Sequence, residues 1–155
     1  MAKAYLSLGT NLGNKRRNLV TAAALLAERA GDILALSEIY ETEPWGFESS
    51  HLFLNAALVL ETSFSPLDLL QATRLIEIEM GRIAKSDGSY EDRVIDIDML
   101  MYDEVVMQTS RLTLPHPLMH KRRFVMEPLA EIAPDAVHPV FHKTMNRLVA
   151  ELNQE

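Results

Sequence analysis

Two segments with helical periodicity interrupt a strand-rich N-terminal part of the chain, and their order leaves few folds open to it. Alternating apolar side chains predict strands, whereas apolar side chains three and four residues apart predict helices. The resulting order, β-α-β-β-α-β, is that of the ferredoxin-like split βαβ unit, an antiparallel sheet with both helices on one face. The predicted elements are strand 3–9, helix 15–30, strands 33–40 and 53–62, helix 66–80 and strand 93–102.

Local signals support both helices and predict further elements after the last strand. Asn14 is placed as an N-cap of the first helix, and Gly31 lies just past its end. The second helix is predicted to begin at Pro66, a residue favoured at the first helical position, with Ser65 as its N-cap. The fold class is therefore α+β, either as a two-layer ferredoxin-like fold or as α/β/α layers in which extra C-terminal helices cover the second face. The later elements are a short edge strand or hairpin over 105–114 and helices over 124–133 and 144–152.

The strand predicted over 93–102 has two different faces. Successive side chains of a strand alternate, so Asp96 and Asp98 share one face. Their backbones would lie roughly 6 to 7 Å apart, which suits Mg²⁺ because it takes one or two carboxylates and completes its shell with water and phosphate oxygens. The alternative is a half-exposed strand with a solvated acidic face. The apolar residues expected on the other face are Ile95, Ile97, Met99 and Met101.

Composition limits the classes of site and partner. The chain has 155 residues, no cysteine and a formal net charge of -7. Without thiols, neither a disulfide nor a thiolate metal site can form. The negative charge disfavours nucleic acid as a partner, and no apolar run approaches the roughly 20 residues of a membrane span. The length predicts a single domain over 1–155. The N-terminus has no signal-like region, so we expect the protein to be cytoplasmic. We also expect a monomer that acts on small molecules.

Basic residues gather in sequence on both sides of the aspartate pair. Such a cluster in an acidic chain resembles the clamp of metal ions and arginines that neutralises charge during phosphoryl transfer. The alternative is a solvated charge run. No Gly-Lys-Ser/Thr phosphate loop is present, so a nucleotide site would not be of the P-loop type. The basic residues are Arg82, Lys85 and Arg93 before the pair, and Arg111, His116, His120, Lys121, Arg122 and Arg123 after it.

Phe53 and Asn55 share one face of the third predicted strand by the same alternation. A planar, amide-like heterocycle would stack on the ring and be read by the paired donor and acceptor of the carboxamide. Phe124 is a candidate for the opposing wall, and Trp45, in a loop with Pro and Gly, is a candidate pocket residue. Each of these assignments has a plainer alternative. Phe53 could be a core residue with Asn55 at a strand edge, Phe124 could be the first apolar residue of a helix, and Trp45 could cover the sheet edge.

Short motifs form an ordered set along nearly the whole chain, from about Ala4 to Pro139. They are Gly9-Thr10-Asn11-Leu12-Gly13, Tyr40-x-Thr42-x-Pro44-x-Gly46, Phe53-Leu54-Asn55-Ala56-Ala57, Glu77 with Gly81-Arg82, Arg93-x-x-Asp96-x-Asp98, Leu112-Thr113-Leu114-Pro115-His116-Pro117 and Arg122-x-Phe124. Each motif alone is a moderate signal at most, but the ordered set is highly specific. It resembles the 6-hydroxymethyl-7,8-dihydropterin pyrophosphokinases of the folate pathway.

The resemblance implies a ferredoxin-like fold and transfer of pyrophosphate from ATP to the hydroxymethyl oxygen of the pterin, with release of AMP. Asp96 and Asp98 would hold two Mg²⁺ ions that bridge the ATP phosphates, with Arg82 and Arg93 as further catalytic residues. Residues 82–92 would form a lid that excludes water. The implied pterin contacts are Thr42, Pro44, Trp45, Phe53, Asn55 and Phe124, and the implied ATP contacts are Glu77, Arg82, Arg93, Arg111, Thr113, His116 and Arg122.

The chain departs from the family pattern beside Arg93. Glu91-Asp92 stand where the family usually has Gly-Pro, Ala84 stands where some members have Arg, and Pro117 stands where an aromatic residue is sometimes found. One missing cation and two added anions weaken electrostatic stabilisation, so we expect an active enzyme with atypical lid geometry and rate. Two other functions remain open: a nucleotidyltransferase, which would release pyrophosphate, and a non-catalytic ferredoxin-like ligand-binding module.

Overall fold

The computed structural model describes residues 1–43, 52–81 and 94–154. Its strands and helices follow the order predicted from the periodicity, and the short hairpin and both C-terminal helices are present. The elements are β1 (Ala2–Thr10), α1 (Lys15–Arg29), β2 (Asp32–Leu36), β3 (Tyr40–Thr42), β4 (Phe53–Thr62), α2 (Pro66–Glu79), β5 (Asp96–Tyr102), β6 (Met107–Gln108), β7 (Thr113–Leu114), a 3₁₀ turn (Met119–Lys121), α3 (Arg123–Ile132) and α4 (Met145–Leu152).

The main sheet has the strand order β2-β4-β1-β5 with antiparallel pairing throughout, and β3 also pairs with β4. The strand predicted over 33–40 is therefore divided into β2 and β3, which pair with opposite ends of β4. Ser37 lies between them and remains attached to β4, because its hydroxyl accepts a hydrogen bond from the Ala57 N–H at 2.8 Å. The arrangement confirms the ferredoxin-like prediction.

The helix starts are those that the sequence predicts. The Asn14 side chain accepts a hydrogen bond from the Arg17 N–H at 3.2 Å, and the Ser65 hydroxyl accepts one from the Asp68 N–H at 3.2 Å. Gly31 lies just past α1, but a left-handed backbone conformation is not the reason for a glycine there. A Cβ at this position would lie 2.1 Å from the Glu61 carbonyl oxygen, so the close approach of β4 requires glycine.

Apolar side chains form a core on each face of the sheet. On one face α1 and α2 pack against inward residues of the strands, such as Leu6, Leu58 and Ile97. On the other face α3 and α4 pack against a second cluster, which includes Ala57 and Met101. The fold is thus a ferredoxin-like sheet within α/β/α layers, which combines the two predicted arrangements. Among the described residues, no helix has both the length and the apolar character needed to cross a membrane.

The pairing of β5 corrects one sequence prediction. Tyr5 pairs with Met101 but Leu6 pairs with Met99, so Leu100 is an extra residue in the ladder. Such a bulge reverses the alternation of side chains beyond it. Met101 therefore packs in the core of α3 and α4, and the prediction that it shares a face with Ile95, Ile97 and Met99 is wrong.

Candidate active site

One row of paired residues crosses the sheet beneath the candidate site. Gly9 of β1 pairs with Asp96 of β5 on one side and with Asn55 of β4 on the other. Directly paired residues share a face, and neighbouring strands lie about 4.8 Å apart, so Asp96 and Asn55 are separated by roughly 10 Å at the backbone. Ser7 pairs with Asp98 in the next row. Carboxylates and amide therefore face the same side, with a residue that has no side chain between them.

A buried glutamate holds the strand that carries the two aspartates. β5 is an edge strand, and the N–H of Ile97 lies between the half-buried Asp96 and Asp98. This N–H donates a hydrogen bond to Oε2 of Glu77 at 2.8 Å, and Glu77 is only 5% exposed. The α2 helix is thus tied to the backbone at the point where the carboxylates project.

A cavity of about 350 Å³ opens beside the aspartate pair. Its volume lies at the lower end of the range found for small-molecule sites. Its walls combine two carboxylates of a type that suits a metal ion with several groups of a type that suits phosphate. The predicted site residues that line it are Glu77, Asp96, Asp98, Arg111, Thr113, His116 and Arg122.

His116 is a neutral donor in this cavity. Burial lowers the pKa of His116, although the nearby charge of Asp96 acts in the opposite direction. Its Nδ1 accepts a hydrogen bond from the Leu118 N–H at 3.2 Å, which leaves the proton of the neutral ring on Nε2. His116 can therefore donate a hydrogen bond to a phosphate or hydroxyl oxygen.

Arg122 connects the cavity to the aromatic side chain of Phe124. It is 4% exposed, and burial lowers the pKa of its guanidinium, which nevertheless stays charged at neutral pH. Its Cζ lies 5.9 Å from the centroid of the Phe124 ring, within cation–π distance. Weak hydration of the guanidinium favours such a buried position beside an aromatic ring.

The amide of Asn55 has a defined orientation. Its Nδ2 donates a hydrogen bond to the Thr42 hydroxyl at 2.7 Å, and the residue is 3% exposed. A Cβ placed on Gly9 would lie 3.2 Å from Asn55 Oδ1 and 3.7 Å from Cδ1 of Phe53. The amide oxygen therefore lies on the side of Asn55 that faces Gly9, and it can accept a hydrogen bond there.

The predicted residues form two neighbouring groups in the described part of the chain. Thr42, Phe53 and Asn55 adjoin one another, because Thr42 pairs with Phe53 across β3 and β4. None of these three is among the residues that line the 350 Å³ cavity, although Arg122 joins that cavity to Phe124. The remaining predictions lie outside the described residues: Pro44, Trp45, Arg82, Arg93, the 82–92 lid, Ala84 and Glu91-Asp92.

Sequence reasoning missed part of the cavity wall. Leu70, Thr73 and Arg74 of α2 line it together with Glu77. Their spacing, three, four and seven residues after Leu70, is that of one helix face, so the assignment of Glu77 could have revealed them. Arg74 adds a cation that no sequence motif singled out.

Comparisons with known proteins agree on one family. The model of the family described as 7,8-dihydro-6-hydroxymethylpterin-pyrophosphokinase (HPPK) matches residues 5–134. A 2-amino-4-hydroxy-6-hydroxymethyldihydropteridine pyrophosphokinase of Porphyromonas gingivalis is 50% identical over 141 residues, which are 90% of this chain and 95% of that protein. The Aquifex aeolicus protein of the same name is 38% identical over 151 residues, which are 97% of this chain and 92% of that protein.

A solved structure supports the same fold. The crystal structure of wild-type Plasmodium falciparum HPPK-DHPS with pteroate has a TM-score of 0.78 and 17% sequence identity. The match covers 97% of this chain and 44% of that one, so the chain spans less than half the length of this structural relative. At this identity the similarity concerns the fold alone.

Proposed function

The chain belongs to the 7,8-dihydro-6-hydroxymethylpterin-pyrophosphokinase family and is a pyrophosphokinase of folate biosynthesis, and on that premise we propose that it makes AMP from ATP. In this reaction the pyrophosphoryl group of ATP is transferred to the hydroxymethyl group of 6-hydroxymethyl-7,8-dihydropterin. The observation that carries the proposal is the row Asp96-Gly9-Asn55, in which carboxylate and amide face the same side of the sheet with only a glycine between them. Two substrates that meet above Gly9 would have their reacting ends side by side.

The two groups of residues divide the recognition of the substrates. The 350 Å³ cavity has cationic and hydrogen-bonding walls for the ATP phosphates, including Arg111, Thr113, His116 and Arg122. The pterin would occupy the position beside Asn55, whose Oδ1 accepts a hydrogen bond from an N–H of the heterocycle. Phe53 and Phe124 are proposed as its two walls.

The donor set beside the cavity suits Mg²⁺. Within the described ranges, no group of three or more His, Cys, Asp or Glu side chains could enclose a metal ion, so a metal site built only from protein ligands is not present there. Two carboxylates on one strand face, Asp96 and Asp98, match an ion that takes its other ligands from phosphate and water. When bound there, two Mg²⁺ ions would neutralise charge that develops on the phosphates.

The transfer forms one bond and breaks another. The pterin hydroxymethyl oxygen attacks the β-phosphorus of ATP, and the bond from that phosphorus to the oxygen shared with the α-phosphorus breaks. The hydroxyl proton is lost to solvent, and AMP leaves with the bridging oxygen. Arg82, Arg93 and Arg122 are proposed to stabilise charge on the phosphates, and residues 82–92 are proposed to close over the site and exclude water.

A product assay tests the proposal. The purified protein is incubated with ATP, MgCl₂ and the reduced hydroxymethylpterin, and nucleotides are separated by chromatography. We expect AMP only when pterin and Mg²⁺ are both present, and loss of AMP formation in Asp96→Asn and Asp98→Asn with an unchanged melting temperature. Formation of ADP, release of free pyrophosphate as by a nucleotidyltransferase, or no reaction in the wild type would contradict the proposal.

The remaining expectations concern organisation and location. We propose that 1–155 form one pyrophosphokinase domain that acts as a cytoplasmic monomer. The support is the pair of cores on the two faces of one sheet, which leaves the described elements packed on each other. Analytical ultracentrifugation with and without ATP would test the monomer, and a dimer at micromolar concentration would overturn it.

A further inference from the structure

The candidate pterin group has an attachment to α3 that is distant from it in sequence. Glu131, near the end of α3, accepts a hydrogen bond from the Tyr40 hydroxyl at 2.7 Å. Its two carboxylate oxygens also accept the Glu38 N–H at 3.3 and 3.1 Å. These contacts tie α3 to β3 and to the residue two positions before it. No sequence motif singled out Glu131.

The tie acts on the strand that orients Asn55. Tyr40 pairs directly with Asn55 across β3 and β4, and Thr42 lies two residues further along the same short strand. Thr42 provides the hydroxyl that accepts the Asn55 Nδ2 hydrogen. β3 has only three residues, and each of them pairs with β4. Movement of β3 would therefore move the acceptor on which the Asn55 orientation depends.

The same tie lies on the helix that carries Phe124. Phe124 and Glu131 are seven residues apart on α3, which is two helical turns, so they project from the same side about 10.5 Å apart. One end of this side bears the proposed pterin wall and the other end is bonded to β3. The tie thereby joins the helix that carries Phe124 to the sheet that carries Phe53.

We infer that Glu131 is a positioning residue for the pterin: it holds β3 and α3 together, so that the Asn55 amide and the two phenylalanine walls keep the spacing that the heterocycle requires. The inference rests on the proposed function, because it concerns the same site. The hydrogen bond to Glu131 raises the pKa of Tyr40 to about 12, so the hydroxyl is a donor at all physiological pH values. Glu131 is exposed, so its effect comes from several bonds that act together.

Steady-state kinetics with substitutions at 131 test this role. Glu131→Ala removes every acceptor and is expected to raise the KM for the pterin roughly three- to tenfold. The KM for ATP and the kcat should change by less than about twofold, because the ATP cavity is lined by α2, β5 and residues of the 111–117 segment, and by only one residue next to α3, Arg122. Glu131→Gln keeps one side-chain oxygen as an acceptor and should restore most of the wild-type KM. A merely structural loss would reduce the amount of folded enzyme instead.

Glu127→Ala is the matched control. It lies one turn earlier on α3, and the structure gives it no hydrogen bond among the described residues. Tyr40→Phe should raise the pterin KM, and the Tyr40→Phe/Glu131→Ala double variant should be no worse than Glu131→Ala alone, because Glu131→Ala already removes the hydrogen bond that Tyr40→Phe removes. Titration of pterin fluorescence without ATP gives the same order of affinities independently of turnover.

The outcomes separate this inference from the proposed function. If the wild type forms no AMP and binds no pterin, the proposed function fails. If the wild type is active but Glu131→Ala has a wild-type KM for the pterin, only the role of Glu131 is overturned. The same holds if Glu127→Ala raises the pterin KM as much as Glu131→Ala does, or if Glu131→Ala raises the KM for ATP as much as the KM for the pterin. Thermal unfolding of each variant confirms that the kinetic comparison uses folded protein.

Discussion

Oε2 of Glu77 accepts a hydrogen bond of 2.8 Å from the N–H of Ile97, the residue between Asp96 and Asp98. At an edge strand this N–H would otherwise lack a strand partner. The family resemblance implies that Glu77 contacts ATP, and the observed bond adds a second role in which it fixes the backbone of the proposed metal ligands.

Glu77→Ala should destabilise the protein and weaken its use of Mg²⁺. Loss of the acceptor leaves a buried N–H unsatisfied, which costs about 1–3 kcal/mol in the free energy of unfolding. Urea unfolding measures this cost, and the Mg²⁺ concentration for half-maximal AMP formation should rise. Glu77→Gln retains an acceptor for the Ile97 N–H, so it should lose less stability than Glu77→Ala and show a smaller change in its Mg²⁺ dependence.

Glu79→Ala is the control on the same helix. Its carboxylate pairs with Arg29 in an exposed salt bridge, so its loss should reduce the stability far less than the loss of Glu77 and leave the Mg²⁺ dependence unchanged. Equal behaviour of the two alanine variants would refute the role given to Glu77.

Gly9→Ala should impair the pterin side of the reaction selectively. The added methyl would lie 3.2 Å from Asn55 Oδ1, closer than ordinary van der Waals contact, and would occupy the position between the amide and Asp96. We expect the KM for the pterin to rise by about tenfold or more, whereas the KM for ATP stays within about twofold of the wild type. Initial-rate measurements with each substrate varied check this, and an equal change in both KM values would contradict it.

His138 should make the folded state sensitive to acid. It is 2% exposed, its Nδ1 accepts the N–H groups of Val140 and Phe141, and burial, with the charges of His120 and His142, lowers the pKa of His138 to about 4. Between about pH 6.5 and 4 the unfolded chain binds a proton that the folded chain does not, so stability falls as the pH falls. The loss at pH 4.5 relative to pH 7 should reach up to roughly 2.5 kcal/mol.

Urea unfolding at the two pH values tests this against His138→Asn, whose side-chain oxygen can accept the same N–H groups without titrating. That variant should lose less stability in acid than the wild type. His142→Asn, at an exposed position whose left-handed backbone suits Asn, removes only one of the two neighbouring charges and should therefore reduce the acid loss less than His138→Asn does. An identical acid loss in wild type and His138→Asn would overturn the prediction.

The joint substitution Glu91→Gly and Asp92→Pro should raise turnover. It removes two carboxylates next to Arg93, a residue proposed to meet the ATP phosphates. Single-turnover and steady-state rates of AMP formation measure the effect, with Glu28→Gln as a charge-removing control on α1. Comparable turnover before and after the joint substitution would show that the two anions do not slow the reaction.

Several predictions depend only on local rules and were therefore accessible from the sequence. Alternation placed Asp96 with Asp98 and Phe53 with Asn55, and the side-chain caps at Asn14 and Ser65 located two helices. Met101 was misplaced because a bulge depends on how β1 and β5 pair, which periodicity within one strand does not contain. Arg74 was missed because a single cation on a helix face carries no motif.

The sequence by itself determined the order of the elements, the two-faced aspartate strand and the family, because periodicity, caps and ordered motifs are properties of neighbouring residues. Only the tertiary structure decided that Gly9 lies between Asp96 and Asn55 and that Glu77 and Glu131 hold the strands of the site. These relations depend on strand register and helix docking. Both are set by packing and hydrogen bonds between residues far apart in the chain.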